Sequence, residues 1–394
     1  MIRPESGVVP PHTTFRMPAE WEQHEATWLS WPHELTDWPG KFSPIPWAFA
    51  EIVRHLAAVE RVFLIVQDHV AEARAKAVLE KAGAPADSVR FFHVPTDRGW
   101  MRDSGPIGVV SSPNDEPRAP VASPPPSKDE SATLHAAAPV TINPRSDGAR
   151  TAGVLLNFDF NGWAKYGDHK KDARVVALAN RKLQKPLIVP EHKKRRVVLE
   201  GGAIDVNGCG TMLTTEECLL SEVQSRNPGY TKFDYAQVFK KYLGVTNVLW
   251  LRHGIAGDDT HGHIDDLARF VDARTVVIAV EEDRTETNYE PLQENLALLG
   301  AMKDQDGHPL RVEKLPMPRP VYFAGQRLPA SYANFYIANG IVLVPTFNDP
   351  ADRIALNSLA SVFPGHKVVP IYSRDLVLGL GTIHCMTQQF PRIG

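Results

Sequence analysis

The feature that most constrains this chain is a loose recurrence. Five times, at irregular spacing, a polar or charged residue sits among small ones, and strand-like sequence broken by a turn follows. Arg102–Val110 is one such segment, and Leu199–Gly208 is the next, with Asn207-Gly208 as a hairpin signal. Asp258–Phe270 runs into Thr275–Ala279, and Ser331–Ile337 runs into Asn339–Pro345. Gly379–Gln389 closes the series. Helical periodicity lies between them at Tyr235–Tyr242, Pro291–Leu299 and Asp352–Val362. Nearer the start, the spacing predicts a helix over Pro46–Val59, a strand at Val62–Val66, a helix over Val70–Ala82 ended by Gly83, and a strand at Phe91–Val94. This alternation predicts an α/β fold. A recurring unit with one reactive side chain each fits blades set around a shared axis, where groups distant in sequence meet. A mixed α/β domain with ordinary hairpins is the simpler alternative.

Composition narrows the partners. Lys and Arg total 43 against 46 Asp and Glu, so no basic excess points to nucleic acid and no acidic tail is present. No stretch approaches the ~18 apolar residues of a membrane span. Met1–Phe15 lacks the apolar centre of a signal peptide, and the three cysteines are too few and odd in number for a disulfide framework. A reducing cytoplasm is the expected home. From about 111 to 150 the chain turns to Pro, Ser and Ala, too polar to offset its own ordering entropy. It reads as a mobile insertion within a single catalytic domain spanning 1–394.

The reactive candidates are Cys385, Asp103, Glu200, His263 and Asp265. A thiol with a distant His is the usual arrangement for nucleophilic catalysis, and it needs only proximity in space. Cys385 follows a Gly-rich lead-in that allows close approach of a ligand, although a lone Cys is commonly a small buried apolar residue. The additional carboxylates suit a guanidinium, which carboxylates bind through paired hydrogen bonds. Asp103 could instead cap its own turn, Glu200 could be an edge charge, and His263 and Asp265 share a face if their segment is extended. Trp residues between Met17 and His33 read mainly as packing. A metal site is the competing chemistry: His261, His263 and Asp265, with His253, Asp258 and Asp259 nearby, offer nitrogen and oxygen ligands at short spacing. That reading leaves Cys385, Asp103 and Glu200 without a role. A propeller that binds cations without turnover is a further alternative.

Taken together, Met17–Glu22, Trp100–Pro106, Glu200-Gly201-Gly202, Arg226-Asn227-Pro228, Gly262–Asp265, Ser331–Phe335 and Ile383–Gln389 resemble the agmatine deiminase family, within the guanidine-modifying (pentein) superfamily of five-bladed α/β propellers. The likeness runs from Met17 to Pro391 and is interrupted by the Pro-rich insertion. It implies hydrolysis of agmatine to N-carbamoylputrescine and ammonia in polyamine synthesis, with no metal or organic cofactor. Cys385 would be the nucleophile, His263 the acid-base with Glu200 beside it, and Asp103 and Asp265 the guanidinium clamps. Trp100 would wall the pocket, and Asp259 would face the distal amine. Four departures bear on the substrate. Asp259 stands where a Glu is common, His261 stands where a carboxylate is, and Leu380 and Thr382 stand for Gly and Asn. Peptidyl-arginine is the nearest alternative substrate. Oligomeric state is left open, a homo-oligomer being compatible.

Overall fold

A computed structural model describes residues 14–112 and 152–392. The expected insertion at 111–150 falls almost wholly outside the described residues. The architecture is mixed α/β, built from one unit used five times. In each unit a leading strand pairs antiparallel with a middle strand. A helix then crosses over, and a third strand lies parallel to the middle one.

The third, fourth and fifth units show the pattern most simply. In the third, Asp205–Val206 pairs with Thr211–Thr215, and helix Lys232–Leu243 returns to Asn247–Leu251. The fourth uses Ala268–Phe270, Thr275–Val280, helix Tyr289–Ala301 and Arg311–Pro316. The fifth uses Tyr336–Ala338, Ile341–Thr346, helix Ala351–Val362 and Lys367–Tyr372. The second pairs Ile107–Ser112 with Ala152–Leu156 and returns through helix Val175–Leu183 to Leu187–Ile188, with Thr14–Arg16 added on its edge. The first unit joins the two ends of the described chain. Its leading strand, Gln388–Pro391, pairs with His24–Ser30, which continues through helix Ile45–Ala57 to Arg61–Val66 and then through helix His69–Lys81 to Val89–His93. A parallel neighbour requires such a crossover, because no short turn can bring the chain back in the same direction.

Local chemistry sets these boundaries. Helix Ile45–Ala57 buries Ile45, Phe49, Ile52, Val53 and Leu56, the three- and four-residue spacing of one apolar face. Asp68 caps helix His69–Lys81 through the Ala71 amide. Thr231 and Asp234 form a reciprocal capping box at the start of Lys232–Leu243, and left-handed Gly244 ends it. The middle strands Thr275–Val280 and Ile341–Thr346 are buried along their whole length, because helices and neighbouring units cover both faces. Asn207-Gly208 lies in the turn its sequence predicts, with Gly208 at φ +69°, and Asn339-Gly340 makes a similar tight turn, with Gly340 at φ +75°. Among the described residues no helix is long and apolar enough to cross a membrane.

The arrangement matters for function because of what precedes each leading strand. Short helical turns at Met101–Ser104, Gly201–Ala203, Ile264–Asp266 and Ile383–Met386, and the segment 331–335, each stand just ahead of one unit's leading strand. These are the five recurrent segments of the sequence.

A side chain at Gly244 is expected to be costly. The residue has φ +70°, and a Cβ there would fall 2.0 Å from the Phe15 carbonyl oxygen. Gly244→Ala should therefore lower stability by about 1–3 kcal/mol, read as an unfolding midpoint in urea.

Candidate active site

Cys385 sits in the turn Ile383–Met386, 7% exposed at the floor of a cavity of about 440 Å³. Its sulfur is held from two sides. Asn334 donates to it through Nδ2 at 3.0 Å, and the Asp265 carboxylate lies 3.6 Å away. Asn334 is fixed in turn. Its Oδ1 accepts from the Thr382 hydroxyl at 2.8 Å and from the His384 amide at 3.1 Å, so Nδ2 must face Cys385 and Asp266. Thr382, one of the departures noted above, thus sets the orientation of the amide that binds the sulfur. Gly381 leaves the space that the site needs, since a Cβ there would lie 2.9 Å from the Trp100 ring and 3.1 Å from the sulfur.

Asp103, Glu200, His263 and Asp265 come from three other leading turns and meet around Gly202. A Cβ on Gly202 would fall 2.5 Å from His263 Nδ1, 2.9 Å from Asp103 Oδ1 and 3.1 Å from Asp265 Oδ2. Only a glycine permits this convergence. Asp103 does not cap its own turn: it accepts from the Gly202 amide at 3.0 Å and the Trp163 indole at 2.9 Å. Glu200 is not an edge charge. It is fully buried and paired with Arg226 at 3.0 Å, and one of its oxygens lies within 4.8 Å of a His263 ring nitrogen and the Cys218 sulfur. His263 and Asp265 are not on an extended strand. A tight helical turn brings His263 Nδ1 to 4.0 Å from Asp265 and 3.9 Å from Asp103.

Several buried polar atoms here make no hydrogen bond within the protein, namely both His263 nitrogens, Asp265 Oδ1 and Glu200 Oε2. Each such atom costs on the order of 1–3 kcal/mol, so a site that leaves four of them open is arranged for a polar ligand.

Electrostatics follow from burial and crowding. Burial raises the Cys385 thiol well above its ordinary range, and Asp265, Asp266 and Asp103 push it further, against the Asn334 hydrogen bond. Burial lifts Asp103 to about 6 despite the attraction of His263. Burial favours a neutral His263, but Asp103 first, then Cys218 and Asp265, outweigh it and keep the imidazole protonated well above its usual range. Burial also opposes charge on Asp265, and His384 chiefly, with His263 and Arg269, reverses this and holds its carboxyl low. The site is poised for a cation, which would relieve the carboxylates and favour the thiolate together.

Nearer the mouth, Trp100 lines the cavity and donates to Asp37 at 3.1 Å, and Arg98 pairs with the same carboxylate. Asp259 also lines the cavity, but it is already engaged by the Tyr166 hydroxyl and by Lys165 Nζ at 3.2 Å. His261 does not join His263. It turns at φ +69° toward Glu217, 3.9 Å away, and His253 faces the same carboxylate. Asp258 spends its oxygens on the amides of Thr260, Gly262 and His263. The metal-ligand set read from this segment therefore does not assemble. Asp265, Asp266 and Cys385 crowd together, but the Asn334 amide donates into the middle of them, and the Arg226 guanidinium stands against Glu200. Both arrangements suit hydrogen-bonded acids better than a bound cation of the protein's own.

Sequence reasoning did not assign Glu20, Arg102, Asn334, Arg269 or His384, which surround the turn of Cys385. Their partners lie up to 364 residues away, as between His384 and Glu20, and no local periodicity marks them.

Repeated α/β units whose leading turns converge on a buried thiol among carboxylates define a guanidine-modifying protein of the pentein class, and comparison with known proteins agrees. The family model described as Porphyromonas-type peptidyl-arginine deiminase matches residues 16–391, and the chain belongs to that family. The agmatine deiminase of Pseudomonas aeruginosa (strain LESB58) is 32% identical over 400 residues, covering 96% of this chain and 95% of that protein. The agmatine deiminase structure from Enterococcus faecalis superposes with a TM-score of 0.79 at 28% identity, covering 97% of both chains. The C. jejuni agmatine deiminase with substrate bound gives 0.77 at 28% identity, covering 98% of this chain and 99% of that one.

Replacing Asp103 tests the electrostatics directly. Its carboxyl binds protons more tightly folded than unfolded, so above pH ~6 its charge costs stability, while below pH ~4 it is protonated in both states. Asp103→Asn should stabilise the protein by up to about 3 kcal/mol at pH 8, with the gain vanishing near pH 4. Denaturant midpoints across that range provide the check.

Proposed function

We propose that this protein is a thiol-dependent guanidine deiminase acting on agmatine, giving N-carbamoylputrescine and ammonia. The observation that carries the reading is the Cys385 sulfur, held by Asn334 and Asp265 at the floor of a cavity that also opens onto Asp103. The five units close as blades of a propeller, and the chain forms one catalytic domain. The strand pairing between Gln388–Pro391 and His24–Ser30 supports that closure. The leading turns then face a common centre. A reducing cytoplasm, where such a thiol persists, is the compartment this chemistry suits.

In the proposed reaction Asp103 and Asp265 clamp the guanidinium, and its charge favours loss of the thiol proton to solvent. The Cys385 thiolate adds to the central carbon. His263, starting protonated, gives its proton to one amino group, and the C–N bond breaks to release ammonia. A cationic S-amidino intermediate and neutral His263 remain. His263 then takes a proton from water as its oxygen adds to the same carbon. The C–S bond breaks, sulfur leaves as thiolate, and the hydroxyl proton passes to the released ammonia to give the ureide and ammonium. Glu200 stands beside His263, held from its other side by Arg226. General acid-base help of this type supplies about 10²–10⁴-fold.

One observation favours a second substrate reading. Asp259 would receive the distal ammonium of agmatine, yet Lys165 already neutralises it, and Arg98 lies on the same wall. Such a mouth also accepts a carboxylate-bearing arginyl substrate.

The deciding experiment measures ureide and ammonia in EDTA buffer with agmatine, free arginine and a peptide ending in arginine. Turnover of agmatine is expected, with loss of at least 10³-fold in Cys385→Ala. The acid limb of kcat/KM should lie near pH 6, where Asp103 ionises. Lys165→Met should lower the KM for agmatine by roughly 2–5-fold, the worth of an exposed ion pair. Preference for an arginyl substrate would move the assignment to the second reading, and turnover that needs added metal would end the thiol mechanism.

A further inference from the structure

The turn that carries Cys385 also carries His384, which no step of the proposed reaction uses. Its ring is buried, and each nitrogen meets a carboxylate. Nδ1 lies 2.7 Å from Asp265 Oδ2, and Nε2 lies 2.8 Å from Glu20 Oε2. An ionised carboxylate only accepts hydrogen bonds, so a ring that satisfies both partners must donate from both nitrogens. A neutral ring would press a lone pair against an oxygen at one of those contacts. Glu20 cannot supply the missing proton, because Arg102 lies 3.1 Å from one of its oxygens and Arg269 lies 2.8 Å from the other.

The other groups facing this ring agree. Arg102 donates to the His384 carbonyl, Asn334 accepts from its amide, and the Tyr336 ring lies 6.4 Å away. Arg269 also binds Asp205 at 3.1 Å behind Glu20. With His384 charged, the cations Arg102, Arg269 and His384 match the anions Glu20, Asp205 and Asp265. Buried ions persist only when so matched. Asp265 Oδ2 lies between the His384 ring, at 2.7 Å, and the Cys385 sulfur, at 3.6 Å, whereas Oδ1 makes no hydrogen bond within the protein and stands 4.0 Å from His263 Nδ1.

We propose that His384 is a positioning residue, an imidazolium that donates from both nitrogens to bridge Glu20 and Asp265, keeps Asp265 ionised and fixes the rotation of its carboxylate between the Cys385 sulfur and His263. The proposal rests on the deiminase reading for its ligand but not for its charge. It assigns His384 no contact with the reacting atoms. Its effect travels through Asp265 alone, by fixing both the ionisation and the rotation of that carboxylate.

Two measurements separate these parts. In folded wild-type protein labelled with ¹⁵N-histidine, the His384 signals, assigned by their absence in His384→Asn, should show both nitrogens protonated in neutral buffer, as two ionised carboxylate partners require. A neutral tautomer there would overturn the proposal, even if no guanidine substrate were ever turned over. In the variants, His384→Asn keeps a donor toward Asp265 but removes the charge, and His384→Ala removes both. For agmatine, His384→Asn should raise KM at least tenfold with a smaller change in kcat, and should move the acid limb of kcat/KM upward because Asp265 becomes harder to ionise. His384→Ala should lose more, so that Asn is a partial rescue. Affinity for the neutral ureido product should fall less than affinity for the cation. An unchanged KM and acid limb in folded His384→Asn, or equal losses for cation and ureide, would reduce His384 to a packing role.

Discussion

The structure depends on one buried carboxylate. Glu20 lies on the segment that leads into the first unit, yet its two oxygens reach three others. They accept from Arg102 in the turn of the second unit, from Arg269 in the leading strand of the fourth, from the backbone amide of Ile337 in the fifth, and face His384 in the turn that carries the thiol. Arg269 extends the link to Asp205 in the third unit. Burial would raise this carboxyl, but Arg269, His384 and Arg102 together hold it well below the usual carboxylate range. Two leading turns and three leading strands, one element from each unit, are thereby tied to a single charge. An apolar plug could fill the same space, but it could not fix the turns by directional bonds.

That hub explains how reactive groups from distant units keep their geometry. Asp103 and Arg102 are neighbours on one turn, as are Cys385 and His384, so one residue of each pair is held from beneath while the other faces the cavity. Packing positions the remaining members. Gly202 lets Asp103, His263 and Asp265 approach one another, and Asp258 holds the His263 amide by spending its carboxylate on the backbone. A site of like charges is costly to assemble, and the scaffold meets that cost outside the site, through Arg226 behind Glu200 and His384 behind Asp265. Stability given up at Asp103 becomes affinity for a cation.

The sequence revealed the repeat and the residues that meet at the candidate site better than it revealed their support. Helix and strand positions followed from periodicity and caps, as with helix Ala351–Val362 and the Asn207-Gly208 turn, because these are local properties. The five recurrent segments were legible because each combines small residues with a polar or charged one before a strand. Local geometry was less so. His263 and Asp265 meet through a tight turn rather than along a strand, and Glu200 faces a guanidinium rather than solvent. His261 gave the most misleading signal. Next to Gly262 and His263 it suggests a metal ligand, but its left-handed backbone turns the ring toward Glu217. A backbone conformation set by neighbours in space is not written in a short motif.

The departures at the mouth and at the floor of the cavity have different physical weight. Thr382 replaces one hydrogen-bonding side chain with another and, through Asn334, still orients the group that meets the sulfur. Chemistry at the thiol is therefore insulated from that change. Asp259 is not insulated. Shorter than Glu by one methylene, it is drawn to Tyr166 and Lys165 on the wall and presents a neutralised pair to the cavity. A substrate's distal end meets that pair in partly solvated surroundings, where ion pairs are weak and exchangeable. In the proposed reaction the guanidinium end meets fixed, buried carboxylates, where misplacement is severe. Reaction type is thus set by the rigid centre and substrate preference by the soft rim, so a change of substrate within this fold needs only the rim to change.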